Sequence, residues 1–255
     1  GFAGSAAFCE AVDGGAKTLM IDKMPVLGGN SAINGGAFSI VNSSYQKARG
    51  IEDSVELYVQ DILKAGLGLN DPALVAQIAT YGNETYEFTK ARGVIYRDAL
   101  GHFGGHSVPR SIWPEINSGG KITIPLQKWG EDRGGTIRTR VILDDFIFND
   151  LGHVIGVKVR EEYLFNFDKK VKEEKNTTGK IKHYKVKGGV IMCTGGFAFD
   201  EEFCYEMDPT IPRGLDCTNH YGATAQALKV MMKNEVNTLH LNWIQMGPWA
   251  SPDEK

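Results

Sequence analysis

Residues 1–22, GFAGSAAFCEAVDGGAKTLMID, decide how the rest of the chain is interpreted. Small apolar residues recur at helical spacing over residues 3–16, and the apolar run TLMID that follows ends on a carboxylate. This pattern predicts a helix and then a short buried strand. A helix that leads directly into a strand is typical of an α/β fold with a parallel sheet.

The glycines at the start of this helix point to a nucleotide site. GFAG supplies Gly1 and Gly4 as the last two glycines of a G-x-G-x-x-G fingerprint. The first allows the backbone to approach a pyrophosphate at the helix N-terminus, and the second allows the helix to pack closely on the sheet. Asp22 follows about 20 residues later, where a ribose hydroxyl is held. The alternative is an ordinary αβ unit with a surface aspartate.

A second glycine-rich segment, LGGNSAINGG at residues 27–36, changes the expected nucleotide. A nicotinamide-binding unit does not need two further glycine pairs directly after its second strand. A flavin, in contrast, lays a pyrophosphate, a ribityl chain and a flat ring against the backbone, and glycines permit that approach. Asn30 and Ser31 can donate hydrogen bonds to phosphate. We therefore predict a flavin, with a flexible loop as the alternative.

The composition indicates a globular protein and excludes two classes of partner. The chain has 255 residues, of which 42% are hydrophobic, and a net charge of −3. Without a long basic run, it has no electrostatic footprint for nucleic acid or an anionic membrane. No apolar run reaches the ~20 residues of a membrane span. The four cysteines have no metal-ligand spacing, so we predict no metal site.

The remaining pattern alternates helices and strands. We predict helices at residues 53–65, 71–92, 121–133 and 222–234, and an antiparallel β meander from about 136 to 188. The charged stretch DKKVKEEKNTTGKIKH is predicted to be a mobile hairpin tip of that meander. The apolar run in GGVIMCTGGFAFD, residues 188–200, predicts a buried strand that ends in a glycine turn.

Several of these segments together carry a family resemblance. IDKMPVLGGNSAINGG, VIMCTGGFAFDEEF, and TNHYGATAQAL followed by WIQMGPW resemble, in order and spacing, the flavoprotein of the fumarate reductase and flavocytochrome c family. The resemblance covers nearly the whole chain. It implies FAD as cofactor and a fragment, residues 1–255, of a glutathione-reductase-like, Rossmann-type FAD-binding domain.

The resemblance also implies positions that contact the cofactor. Residue by residue, these are Gly1, Ala3, Gly4, Asp22, Lys23, Gly28, Gly29, Asn30, Ser31, Gly35, Gly36, Val141, Thr194, Gly195, Gly196 and Gln226. Among them, Val141 would present its backbone to adenine, and Gly36 would approach both the isoalloxazine and the substrate. Gln226 replaces an aspartate of the family pattern, so this contact lacks the usual charge.

A second departure concerns the substrate. Gly247 stands where fumarate reductases have a histidine in IQxHP that helps to hold a substrate carboxylate. The resemblance therefore implies an oxidoreductase that reduces the C=C bond of an α,β-unsaturated carboxylic acid other than fumarate, with Gly36 and Gly247 beside it. Room at residue 247 favours a bulkier, even aromatic, acid. Electrons would come from haem, FMN or a quinol-linked donor elsewhere in the parent protein.

The resemblance assigns no catalytic residue within the chain. In the family an arginine on a capping domain delivers the proton, and we expect the junction to that domain at about residues 245–255. We likewise expect the first strand of the fold to precede residue 1, so that the fragment alone is inactive. A flavin dehydrogenase or oxidase, and a non-catalytic nucleotide-binding fragment, remain alternatives. A cytoplasmic location is expected, with the cell envelope as the other possibility.

The loop GHFGGHSVPR contains three further candidates. His102 and His106 have no carboxylate partner nearby in the sequence, which is typical of surface residues rather than of a general acid or base. Arg110 is a candidate for contact with an anion, and a surface ion pair is the alternative.

Overall fold

The computed structural model of the protein describes residues 1–168 and 173–247. The chain divides into two compact units. The first unit comprises Gly1–Asn30 and Gly130–Lys255, and the second comprises Ser31–Trp129.

Helices and short strands make up both units. In chain order, the helices are α1 (Phe2–Asp13), α2 (Gly29–Ile33), α3 (Ser44–Lys47), α4 (Val55–Ala65), α5 (Pro72–Ala91), α6 (Gly120–Glu131), α7 (Glu201–Met207) and α8 (Gln226–Lys233). The strands are β1 (Leu19–Ile21), β2 (Phe38–Ser39), β3 (Ser111–Ile112), β4 (Thr136–Arg138), β5 (Ile142–Phe148), β6 (Val154–Glu161) and β7 (Lys180–Lys185). A short 3₁₀ turn covers Glu173–Lys175.

The parallel pairing predicted by the first 22 residues is present in the first unit. Strand β1 pairs in parallel with β4, with Leu19 opposite Thr136 and Ile21 opposite Arg138. The prediction that β1 is buried is wrong, because Leu19 is 39% exposed. Among the described residues, β4 is the one strand that pairs with β1.

The antiparallel meander is shorter than predicted and begins later. Strands β5, β6 and β7 form it, from Ile142 to Lys185, in the order β5-β6-β7. The predicted start at about residue 136 is wrong, because β4, which begins there, pairs in parallel with β1 and is not part of the meander. The meander core consists of the buried side chains of Val141, Leu143, Val157 and Val159.

The predicted buried strand within residues 188–200 does not form. Val190 and Met192 pack against the meander core, while Ile191 between them is 69% exposed. The side chains therefore alternate as in a strand, but no strand of the described chain pairs with this segment. A β-strand needs a neighbouring strand with which to form hydrogen bonds. The apolar pattern of this segment alone could therefore not predict whether a strand forms.

The second unit is built around helices α4 and α5. Strands β2 and β3 pair antiparallel, and Ile40, Tyr86 and Ile112 form the core beside them. The predicted helix at residues 71–92 is present as α5. The Asp71 carboxylate caps it by accepting hydrogen bonds from the N–H groups of Ala73 (2.8 Å) and Leu74 (3.2 Å).

Candidate cofactor site

The N-terminus of α1 is the first part of the predicted site. Gly1 is its N-cap, and the Gly1 carbonyl accepts a hydrogen bond from the Ser5 N–H at 3.0 Å. The first N–H groups of a helix lack intrahelical partners and carry partial positive charge, which favours an anion. The first turn has no acidic side chain, and Ala3 is exposed there. This end of α1 fits a pyrophosphate.

The surroundings of Gly4 within the described residues are not crowded. A Cβ atom at this position would lie 3.5 Å from the Cys193 Cβ atom and 3.9 Å from the Met20 Sδ atom. These are ordinary van der Waals distances. A side chain as small as alanine would therefore fit between α1 and the segment beneath it.

Asp22 lies directly after β1, where its backbone is fixed on both sides. Its N–H donates to the Arg138 carbonyl, and its carbonyl accepts from the Val141 N–H, both at 2.9 Å. The resemblance implies that Val141 offers its backbone to adenine. In the structure, the Val141 N–H is already bonded to the Asp22 carbonyl. The strand end therefore holds Asp22 in a defined orientation.

The carboxylate of Asp22 has spare hydrogen-bonding capacity. Within the described ranges, its one hydrogen bond comes from the Met24 N–H, at 2.9 Å. Burial raises the pKa of Asp22, and this hydrogen bond and nearby positive charges offset the rise only partly. A half-buried carboxylate with few donors fits a ribose hydroxyl, because the hydroxyl would supply a missing donor.

The glycine-rich segment after β1 is anchored to a distant loop. Gly28 and Gly29 have φ angles of 113° and 49°, which favour glycine. The Asn30 side chain donates to the Asn219 Oδ1 atom at 2.5 Å and accepts from the His220 N–H at 2.6 Å. The Asn30 amide therefore joins this segment to the TNHYG loop in the structure, whereas the sequence predicts a phosphate contact.

Lys23 and Gln226 also make contacts within the first unit. The Lys23 Nζ atom lies 2.9 Å and 3.0 Å from the two carboxylate oxygens of Glu173, and it also donates to the Thr224 hydroxyl. The Gln226 side-chain amide donates to the Leu143 carbonyl of the meander. Both side chains connect structural elements of the first unit.

Glu173 was missed by the sequence interpretation. Its side chain is 12% exposed and it also accepts a hydrogen bond from the Tyr163 hydroxyl, at 3.2 Å. It lies in the charged stretch that predicts a mobile tip, and residues 169–172 of that stretch are outside the described ranges. Only the apolar neighbours Tyr163 and Phe165 upstream could have indicated that the stretch folds back.

Residues 194–196 present backbone without covering side chains. Thr194, Gly195 and Gly196 are exposed. Gly195 has a φ angle of 75°, and a Cβ atom on Gly196 would meet nothing within 4 Å. The space beside this backbone agrees with the predicted cofactor contact. Taken together, the donors, the carboxylate and the open backbone of the first unit fit FAD.

Of the predicted cofactor residues in the second unit, Gly36 is the one that another residue could replace least easily. Its φ angle is 73°, and a Cβ atom there would lie 3.0 Å from the Pro114 Cγ atom and 3.1 Å from the Gly119 backbone. Its N–H donates to the Asn34 side chain at 2.6 Å. Gly35, in contrast, has open space around it, and Ser31 is half-buried.

Arg110 is not a surface residue, so both interpretations of it from the sequence are wrong. Its side chain is fully buried and forms a two-pronged ion pair with Asp53, Nε–Oδ2 at 3.0 Å and Nη2–Oδ1 at 2.8 Å. Its Nη1 atom lies 2.6 Å from Asp61. The guanidinium lies 4.6 Å from the centre of the Tyr58 ring. All three guanidinium nitrogens therefore donate to carboxylates of the chain itself.

The Asp61 carboxylate in this cluster is fully satisfied. It accepts from the Ser107 N–H at 2.8 Å and from the Ser107 hydroxyl, in addition to Arg110. Burial alone would raise the pKa of Asp61, but these donors outweigh it and lower the pKa to about 2. The cluster therefore stabilises the second unit.

Gly247, predicted beside the substrate, is exposed. Of the predicted capping-domain junction at about residues 245–255, residues 248–255 lie outside the described ranges. In the part of the chain that the structure describes, no group of acidic, histidine or cysteine side chains could hold a metal ion. No helix in these ranges has the length and apolar character to span a bilayer.

The sequence profile of the FAD binding domain family matches residues 1–255, so the chain belongs to this family and its cofactor is FAD. Its relatives confirm the resemblance to the fumarate reductase and flavocytochrome c flavoproteins. The acrylate reductase flavoprotein subunit of Shewanella woodyi is 41% identical over 255 residues, which are 100% of this chain and 49% of the relative. The urocanate reductase of Eggerthella lenta is 30% identical over 251 residues, 97% of this chain and 39% of the relative.

A solved structure shows the same fold. The open conformation of a flavocytochrome c3 fumarate reductase superposes with a TM-score of 0.78 at 27% identity, over 90% of this chain and 38% of that protein. The chain thus spans about half, or less, of the length of the relatives it matches.

Proposed function

We propose that this domain is the FAD-binding part of a reductase that acts on the C=C bond of an α,β-unsaturated acid with a single carboxylate. The observation that carries the proposal is the 41% identity, along the whole chain, to an acrylate reductase flavoprotein subunit. Acrylate and urocanate each have one carboxylate, whereas fumarate has two. Gly247 supports the same preference, because it has no side chain with which to hold a second carboxylate.

The residues of the first unit would hold and orient the cofactor. The N–H groups of the first turn of α1 would bind the pyrophosphate, and Asp22 would accept a hydrogen bond from the ribose. Once reduced by two electrons from its donor, the bound flavin would supply the hydride for the electron-poor double bond. The reducing electrons would reach it from a haem-, FMN- or quinol-linked partner.

Turnover assays on the complete FAD-loaded protein that contains this sequence test the proposal. Oxidation of reduced methyl viologen is followed with acrylate, urocanate and fumarate in turn. We expect turnover with a monocarboxylic acid and a kcat/KM for fumarate at least about tenfold lower. A preference for fumarate, or no turnover with any unsaturated acid, would contradict the proposal.

A substitution sharpens the assignment of Gly247. Gly247→His restores the side chain of the fumarate reductase pattern and should raise kcat/KM for fumarate relative to acrylate. Gly188→His is the matched control, because Gly188 is also exposed and a Cβ atom there would meet nothing within 4 Å. An equal change in both variants would show that residue 247 does not face the substrate.

A further inference from the structure

The Glu173 carboxylate joins three segments of the first unit at one point. Its two oxygens lie 2.9 Å and 3.0 Å from the Lys23 Nζ atom, in the segment that follows β1. The carboxylate also accepts a hydrogen bond from the Thr224 hydroxyl, just before α8. A third donor is the Tyr163 hydroxyl, just after β6, at 3.2 Å. Because Lys23 also donates to Thr224, the Lys23, Glu173 and Thr224 side chains form a closed ring of contacts.

This ring of contacts is largely shielded from water. The side chains of Lys23 and Glu173 are 14% and 12% exposed. The Phe165 ring lies beside the ammonium, with its centre 5.5 Å from the Lys23 Nζ atom. Removing one partner of a shielded ion pair leaves the other charge poorly solvated and without its counter-ion. The position of Lys23 therefore depends on the negative charge of Glu173.

The segment that Lys23 anchors also carries the Asp22 carboxylate. This carboxylate accepts its hydrogen bond from the Met24 N–H, at 2.9 Å. Met24 in turn packs on the loop before α8, where a Cβ atom on Gly222 would lie 2.7 Å from the Met24 Cγ atom. Lys23 is bonded to Thr224 of the same loop. Side-chain contacts on both sides of Lys23 therefore hold the segment in place.

These contacts give Glu173 a role in the cofactor site. We infer that Glu173 is a positioning residue for FAD: through its ion pair with Lys23, it fixes the segment that presents the Asp22 carboxylate to the ribose. Glu173 acts through Asp22 and does not itself bind the cofactor. A carboxylate that must first be ordered binds its ligand more weakly, because binding then includes the entropic cost of ordering. The inference rests on the ribose contact of Asp22 within the proposed function and is independent of the substrate.

A double-mutant cycle on the Kd for FAD tests whether Glu173 acts through Asp22. The cofactor-free complete protein is titrated with FAD by calorimetry as wild type, Glu173→Gln, Asp22→Ala and the double variant. We expect Glu173→Gln to raise the Kd by about 3- to 10-fold when Asp22 is present, and by less than about twofold when residue 22 is alanine. Glu162→Gln is the matched control, because it removes an exposed carboxylate that pairs with Lys180 at 2.7 Å, and it should leave the Kd unchanged.

The dependence on Asp22 separates positioning from a purely structural role. A variant that only weakened the first unit would raise the Kd equally in both backgrounds, and that result would overturn the inference. An unchanged Kd in Glu173→Gln, with a raised Kd in Asp22→Ala, would overturn it as well and leave the Asp22 contact standing. An unchanged Kd in Asp22→Ala would overturn both, while turnover with unsaturated acids would still decide the reductase function.

A second variant applies if Glu173→Gln does not fold. Thr224→Val removes the neutral hydroxyl of the same ring of contacts and keeps both charges of the ion pair. We expect a rise in the Kd for FAD of about 2- to 5-fold that again disappears when residue 22 is alanine. The same rise in both backgrounds, or no rise, would overturn the inference.

Discussion

Asp22 in the first unit and Asp61 in the second are aspartates in partly or fully buried positions, but they differ in their hydrogen-bond donors. Asp22 accepts one hydrogen bond, from the Met24 N–H, and its pKa is raised by burial. Asp61 accepts hydrogen bonds from Ser107 and Arg110, and its pKa falls to about 2 despite burial. A carboxylate short of donors is available to a ligand. One saturated with donors stabilises the fold.

The largest effect is expected from breaking the saturated cluster. Arg110→Leu leaves the buried carboxylates of Asp53 and Asp61 without their cation and should lower the free energy of unfolding by about 3–5 kcal/mol. Urea unfolding followed by tryptophan fluorescence measures this. Arg213→Leu is the control: it removes an exposed arginine that pairs with Glu202 at 3.1 Å, and the unfolding midpoint should barely move. Equal effects would show that the Arg110 cluster contributes no special stability.

Lowering the pH should also weaken the Arg110 cluster, because it protonates the Asp61 carboxylate. Because the folded-state pKa of Asp61 is depressed, its stabilisation is full above the unfolded value of 3.8 and is lost as the pH falls towards about 2. Protonation of this carboxylate should therefore lower the free energy of unfolding by about 2 kcal/mol over that pH interval. Asp61→Asn, though less stable at pH 7, should lack this component of the acid dependence. The same slope in both proteins would assign the loss to other carboxylates.

The smallest expected loss of stability comes from a change in backbone packing at Gly36. Gly36→Ala introduces a Cβ atom against Pro114 and Gly119 at a φ angle of 73°, and should cost about 1–2 kcal/mol of stability. Gly35→Ala places the same methyl group in open space and is the matched control. Thermal unfolding of the two variants measures the difference. If both melt alike, the close approach at Gly36 is relieved by its neighbours.

The comparison also shows what the sequence could predict. Helix α5 follows from a local signal, because Asp71 and Pro72 begin it within one turn. The predicted cofactor positions also come from local signals, since Gly1 and Gly36 belong to short glycine patterns and Asp22 ends the strand that follows the first of them. The partners of Arg110 are not local: Asp53 and Asp61 lie 57 and 49 residues away, and only the fold brings them together.

Segments whose state depends on a distant partner were predicted least well. The apolar run at residues 188–200 has the alternation of a strand, and no strand of the described chain pairs with it. Lys23 matches a cofactor position in the sequence, but its ammonium meets Glu173, 150 residues away. Pairing across such separations is decided by tertiary packing, which a one-dimensional pattern does not contain.

The affinity for FAD, measured side by side for the wild-type protein, Asp22→Ala and Asp61→Asn, tests the contrast between the two carboxylates most directly. Calorimetric titration of the cofactor-free complete protein gives the three Kd values. If Asp22 binds the ribose, Asp22→Ala should raise the Kd for FAD by about 10- to 100-fold, while Asp61→Asn should leave it within about twofold. An unchanged Kd in Asp22→Ala, or a larger rise in Asp61→Asn, would contradict the assignment of the open carboxylate to the cofactor and of the saturated one to the fold.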